Sequence, residues 1–134
     1  MGTYEIEAAA RLGTGDLLDA LVREFHVAGL PLNSRSNVYE NSRRVKGGPG
    51  VLFGITGYNS KAAAQFIQIH DSATLPDEGA VPELILTAAT AANFGLLWAL
   101  PGRVFQRGIY LVNSSTGPTK TIGSADCWFD AQYI

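Results

Sequence analysis

Charge is scarce in this 134-residue chain. Asp, Glu, Lys and Arg together make up 16% of it, against roughly a quarter of an average soluble protein. The surface must therefore draw on Ser, Thr, Asn, Ala and Gly, which lose water more cheaply than Lys and Glu. Depletion of charge is also a property of interface cores, so the composition predicts burial in an assembly. The net charge of −2 excludes a global attraction to nucleic acid or to acidic membranes. A single cysteine, Cys127, excludes an intramolecular disulfide and is expected to pack as a small hydrophobe. The start, MGTYEIEAAARLG, has acids where a secretory signal needs bases, and no apolar stretch follows it. The longest apolar run, Phe94 to Leu100, is far short of a membrane span. These absences predict a soluble protein made in a reducing cytoplasm, with neither nucleic acid nor membrane as a partner.

Catalytic patterns are missing too. His70, Asp71 and Ser72 stand together, but neighbours on a strand point to opposite faces, whereas triads are assembled in space. A strand end followed by a turn cap explains them better. There is no Gly-x-Ser-x-Gly elbow. Two histidines and one cysteine do not make a metal-ligand pattern. Asp77, Glu78 and Glu83 lack the spacing of a calcium loop. Gly47, Gly48 and Gly50 have no Lys-Ser/Thr after them and are no phosphate loop. The expectation is a protein without catalytic residues, metal or cofactor.

What is present is β-structure, 46% apolar residues and one domain's length of chain. In Ala125 to Ile134, Cys127, Phe129, Ala131 and Tyr133 alternate with Asp126, Asp130 and Gln132, the period of a half-buried strand. Trp128 lies on the polar face of that strand. Ile109 to Val112 is β-branched and aromatic, and Asn113 to Gly123 carries turn residues. Val51 to Asn59, Ala62 to His70, Val81 to Thr87 and Phe94 to Leu100 also read as strands. Gly54 and Gly57 mark a bulge or a close backbone approach, and Pro82 marks an edge or a strand start. About six strands after residue 50 predict a sandwich or barrel.

The first 50 residues differ. Leu17, Leu18, Leu21, Val22 and Phe25 recur at helical spacing behind Thr14 and Asp16, with Gly29 to stop them. Leu30 to Gly50 is polar, carries Arg35, Arg43, Arg44 and Lys46, and offers only Asn37 to Glu40 as a short strand. It reads as a solvated loop or as an arm that lies on an acidic partner surface. Trp98, Trp128, Tyr110, Tyr58 and Phe105 would serve either as core or as a sugar-stacking platform, and Trp128 stands out between Asp126 and Asp130.

Several motifs after residue 50 carry a family resemblance. Tyr58-Asn59-Ser60, the Ala63 to Gln68 run, His70-Asp71 and the Pro101-Gly102-Arg103 turn come first. Asn113 to Thr116, Thr119 to Thr121 and Ala125 to Phe129 close the chain. Together they resemble small structural proteins of tailed bacteriophages, over about residues 51–134. The resemblance implies a virion component without catalysis, assembled in the host bacterial cytoplasm. No functional residues transfer with it, because the motifs are turns and core.

The expected architecture is mainly β: an antiparallel, jelly-roll-like β-sandwich over 51–134 with an N-terminal arm, residues 1–50, containing a short helix. The expected role is a capsid decoration (cement) protein, homotrimeric, anchored on the major capsid protein or on tail proteins. Arg35, Arg43, Arg44, Lys46 and Trp128 are the expected partner-binding residues. The alternative is a tail or fibre accessory that binds host-surface carbohydrate, which requires two or more exposed aromatics in one groove.

Overall fold

The alternation at the end of the chain becomes the strand on which the first sheet is built. The computed structural model describes residues 31–134; the helix expected over Leu17 to Phe25 lies outside the described residues. The described residues form nine strands: β1 (Leu32–Arg35), β2 (Ser42–Lys46), β3 (Gly50–Asn59), β4 (Gln65–Asp71), β5 (Leu84–Ala88), β6 (Ala92–Leu97), β7 (Arg103–Phe105), β8 (Ile109–Ser114) and β9 (Cys127–Tyr133). No helix occurs among the described residues.

The strands form two antiparallel sheets. The first has the order β1-β9-β3-β6, with β7 also on β3; the second has the order β2-β8-β4-β5. One buried cluster draws on both. Leu52, Ile55, Phe94, Phe105, Cys127, Phe129 and Ala131 come from the first sheet. Val45, Ile67, Ile69, Ala88, Ile109 and Leu111 come from the second. Phe129, fully buried, meets Phe94 edge to face at 6.2 Å, the geometry that aromatic quadrupoles favour. The faces of β9 are as the alternation predicts, with Cys127, Phe129 and Ala131 inside. Burial pushes the Cys127 thiol up to about 12, with the charge of Asp126 adding to it.

The glycines of β3 do what strand glycines do. The pairing of β3 with β9 shifts register between Leu52 and Gly54, a bulge that leaves Phe53 as the extra residue. At Gly57 a Cβ would collide with the Trp128 carbonyl and the Phe94 ring. At the Pro101-Gly102 turn, Gly102 sits at φ +86°, where side chains are strained.

The segment expected to be a loop or an arm up to residue 50 contributes two strands instead. The compact unit begins at Leu32. β1 pairs with β9 from Leu32↔Tyr133 to Arg35↔Asp130, and β2 pairs with β8 from Ser42↔Val112 to Lys46↔Ile109. Among the described residues both are outermost strands, held by ladder hydrogen bonds on one side only. Such strands need little apolar material, and Val45 alone enters the core. Asn37 to Glu40, the one piece expected to be extended, is the link between them. Edge position also explains Pro82, which stands just before β5 at the far end of the second sheet.

Gln68 and His70 of β4 are buried although their face is turned away from the core. The link from Ser115 to Thr121 bonds to Gln68. Gln68 Nε2 donates to the carbonyls of Thr116, Gly117 and Thr119 at 2.8 to 3.0 Å. A second polar network crosses the open end of the sheets. Asn59 Nδ2 donates to the carbonyls of Ala63, Ala88 and Ala89. Gln65 Nε2 donates to Asn59 Oδ1 at 2.9 Å, and Asn113 Nδ2 donates to Gln65 Oε1 at 2.9 Å. Three fully or nearly buried amides thereby bond to one another and to the turns beside them, and Asn113 Oδ1 is the one buried side-chain oxygen among the described residues left without a partner.

Candidate functional site: the outer face of the first sheet

The register places one set of side chains on the outer face of the first sheet. On β9 these are Trp128, Asp130 and Gln132. Tyr58 stands directly opposite Trp128, and Thr56 opposite Asp130. Arg35 of β1 lies on the other side of Asp130, and Asn93 of β6 lies beyond Tyr58. Directly opposed side chains have Cβ atoms about 5 Å apart, so Trp128 and Tyr58 are neighbours.

A third aromatic joins them from the β1–β2 link. Ser36 N donates to the Phe129 carbonyl and Phe129 N donates to Ser36 Oγ, both at 2.8 Å. Glu40 N donates to the Cys127 carbonyl at 2.8 Å, and Cys127 N returns a bond to Glu40 O at 3.1 Å. The Ser36 hydroxyl closes the link by donating to Glu40 Oε2 at 2.7 Å. Between these pins Asn37, Val38 and Tyr39 face solvent. Tyr39, 48% exposed, meets the Trp128 ring edge to face at 6.0 Å and 80°. Three aromatic rings thus share one corner of the sheet. Trp128 was legible as unusual in the sequence, because it interrupts a polar face. Tyr39 was not, since its contact depends on a link pinned to a strand at the other end of the chain.

The five expected partner-binding residues do not form one patch. Arg35 and Trp128 share the outer face just described. Arg43 is committed internally, with Nη1 3.0 Å from Glu40 Oε1 and Nε donating to Ser34 Oγ at 2.9 Å. Arg44 and Lys46 belong to β2 and make no ion pair among the described residues. Of the other aromatics named from sequence, Phe105 is core and Trp98 packs against the core.

His70, Asp71 and Ser72 are each engaged separately. Gln68 uses its amide nitrogen on three carbonyls, so its oxygen accepts from His70 Nε2 at 3.0 Å. Burial and then the nearby Lys120 charge lower the His70 pKa to about 4, leaving it neutral at pH 7. The Asp71 carboxylate accepts from the backbone N–H groups of Gln106, Arg107 and Gly108. Burial pulls its pKa up, but these bonds outweigh it and hold the group below the usual carboxylate range. Ser72 Oγ donates to the Thr74 carbonyl at 2.7 Å. This is the strand end and turn cap that the sequence predicts.

The acidic loop residues are divided as well. Glu78 pairs with the buried Lys120 at 2.6 Å, and Glu83 faces Arg103 at 3.6 Å. The hydrogen bond from Lys120 holds the Glu78 carboxyl below its ordinary pKa. Beside them an open, polar recess of about 340 Å³ is lined by His70, Asp71, Asp77, Glu83 and Arg107 among others.

A further surface is apolar. Leu97, Leu100 and Val104 are 74%, 63% and 65% exposed and lie within one return of the chain, from the end of β6 through the Pro101-Gly102 turn into β7. Val104 stands opposite Val51 on β3, and a Cβ at Gly54 would run into the Leu97 side chain. Leu97 and Val104 therefore both lie on the outer side of the sheet, beside the half-buried Phe53.

No protein family, no curated protein and no solved structure matches the chain.

Proposed function

We propose that the chain is a non-catalytic structural component of a tailed-phage particle, built into an oligomer through the apolar edge formed by β6, β7 and the turn between them. The carrying observation is the exposure of Leu97, Leu100 and Val104 within one short return. A soluble protein with so little charge rarely leaves a contiguous apolar patch open, and such patches mark protein contacts. A homotrimer suits symmetric positions on a particle.

The strand orders β1-β9-β3-β6 and β2-β8-β4-β5 support a jelly-roll reading, in which consecutive strands pass between the two sheets except from β4 to β5 and from β6 to the extra strand β7. That architecture serves viral capsid and lectin domains alike. The virion assignment itself rests on the sequence resemblance. Within it, β1 and β2 belong to the sandwich, and an anchoring arm is confined to the residues before Leu32. Arg44 and Lys46 then offer a basic edge to an acidic surface of the major capsid protein or a tail protein, and Arg43 serves the fold.

Particles assembled without the protein provide the test. Added wild-type protein should bind them. Arg44→Glu with Lys46→Glu should bind less well, and the loss should be larger at low salt than at high salt, because exposed charges are screened. Equal binding by both proteins at low salt would refute the basic edge as the docking surface.

A further inference from the structure

The corner that holds Tyr39, Trp128 and Tyr58 is not explained by assembly through the apolar edge. It lies at the other end of the same sheet face. Trp128 and Gln132 are four residues apart on β9, about 13 Å at strand rise, and Gln132 is the residue whose row leads through Gly54 to Leu97. The core does not need these rings either, since the buried cluster contains none of the three. Yet the link carrying Tyr39 is fixed to β9 at both ends by backbone and side-chain bonds. An aromatic held rigidly and left half open to water is preorganised for a ligand, because little freedom remains to be lost on binding.

We propose that this corner is a saccharide-binding site that takes a neutral hexopyranose unit of a surface glycan. The rings of Trp128, Tyr58 and Tyr39 offer flat apolar area and π faces to the C–H side of a pyranose. Hydrogen-bonding groups for its hydroxyls surround them: the Asp130 carboxylate, the Gln132 amide that donates to it at 3.1 Å, and Asn93 and Arg35 in the adjacent positions of the register.

The balance of charge selects the occupant. Arg35 and Asp130, paired across the face, are opposite in sign, and Asp126, two residues before Trp128, adds a negative charge, which suits a ligand without net charge and disfavours an anionic one. A single-stranded nucleic acid would also stack on aromatic rings, but its groove must be positive along the backbone. A second copy of the chain would find amides, a carboxylate and a guanidinium here rather than the leucines and valine of the other end.

Titration of the full-length, ¹⁵N-labelled protein with D-glucose, D-galactose, D-mannose, N-acetylglucosamine and N-acetylgalactosamine tests the proposal. At least one of these should shift the Trp128 indole N–H resonance at millimolar concentration, as fits one weakly held ring, and leave that of Trp98 in place. Trp128→Ala and Tyr39→Ala should each weaken binding by about tenfold or more. Trp128→Phe, which keeps a ring, should retain most of it and guards against loss of fold. Leu97→Asp should leave it unchanged, so the site can fail while the assembly reading stands, and the reverse. The proposal is overturned if no sugar of this set moves Trp128, or if Trp98 responds in its place.

Discussion

Asn59 shows how much of this molecule depends on single polar side chains. Its amide serves three carbonyls and its oxygen accepts from Gln65 and from the Lys61 backbone. Asn59→Ala strands several buried groups at once, each worth about 1–3 kcal/mol when left unpaired. Denaturant unfolding should therefore report a loss of about 3 kcal/mol or more, and a loss below about 1 kcal/mol would mean that water replaces the network. His70 makes a different prediction. Its pKa falls from 6.5 to about 4 on folding, so between those values the unfolded chain binds more protons than the native one. The contribution is complete above pH 6.5 and is lost as pH falls toward 4. The melting temperature should drop across that window, ahead of the Asp71 and Glu78 carboxylates, whose lowered pKa values place their losses further down. In His70→Gln the drop should be shallower; an unchanged profile would show that His70 is protonated in the fold. The sequence marked His70 as a strand end, and that is where it lies. Its burial was not legible, because its neighbours, Gln68, Lys120 and the polar loop after β4, leave no apolar period in the sequence.

Among the elements, legibility followed burial. β9 alternates because one of its faces is core, and its inward residues could be named from the sequence. β3 could be placed with its glycines for the same reason. β1 and β2 could not, since outermost strands hold through backbone bonds that leave no periodic trace, and only Val45 of β2 is buried in the core. Their importance is testable. A truncation starting at Gly50 removes the outer partner of β8 and of β9, uncovers two ladders and opens the core at Val45. Open strand edges of this kind lead to aggregation. The truncated protein should be insoluble or unfolded, whereas one starting at Leu32 should stay soluble with a β-type circular dichroism spectrum. A well-folded Gly50 truncation would contradict the integration of β1 and β2. The aromatic corner belongs to this scale too. Trp128 is visible in one strand, but its partners arrive from β3 and from the pinned β1–β2 link, and only the pairing register brings them together.

For the molecule as a whole, two surfaces at opposite ends of one sheet face have different chemistry: leucines and valine at one end, aromatic rings among hydrogen-bonding groups at the other. The first suits a permanent contact with another subunit and the second an exchangeable ligand. Low charge is consistent with both. In the proposed assembly the apolar edge is buried between copies of this chain. Sedimentation equilibrium of the full-length protein at micromolar concentration tests it most directly, with Leu97→Asp combined with Val104→Asp as the comparison. The wild-type protein should have a mass of three times 14.3 kDa and the double variant should be a folded monomer; a wild-type protein that stays at 14.3 kDa as concentration rises would rule out burial of this edge between copies.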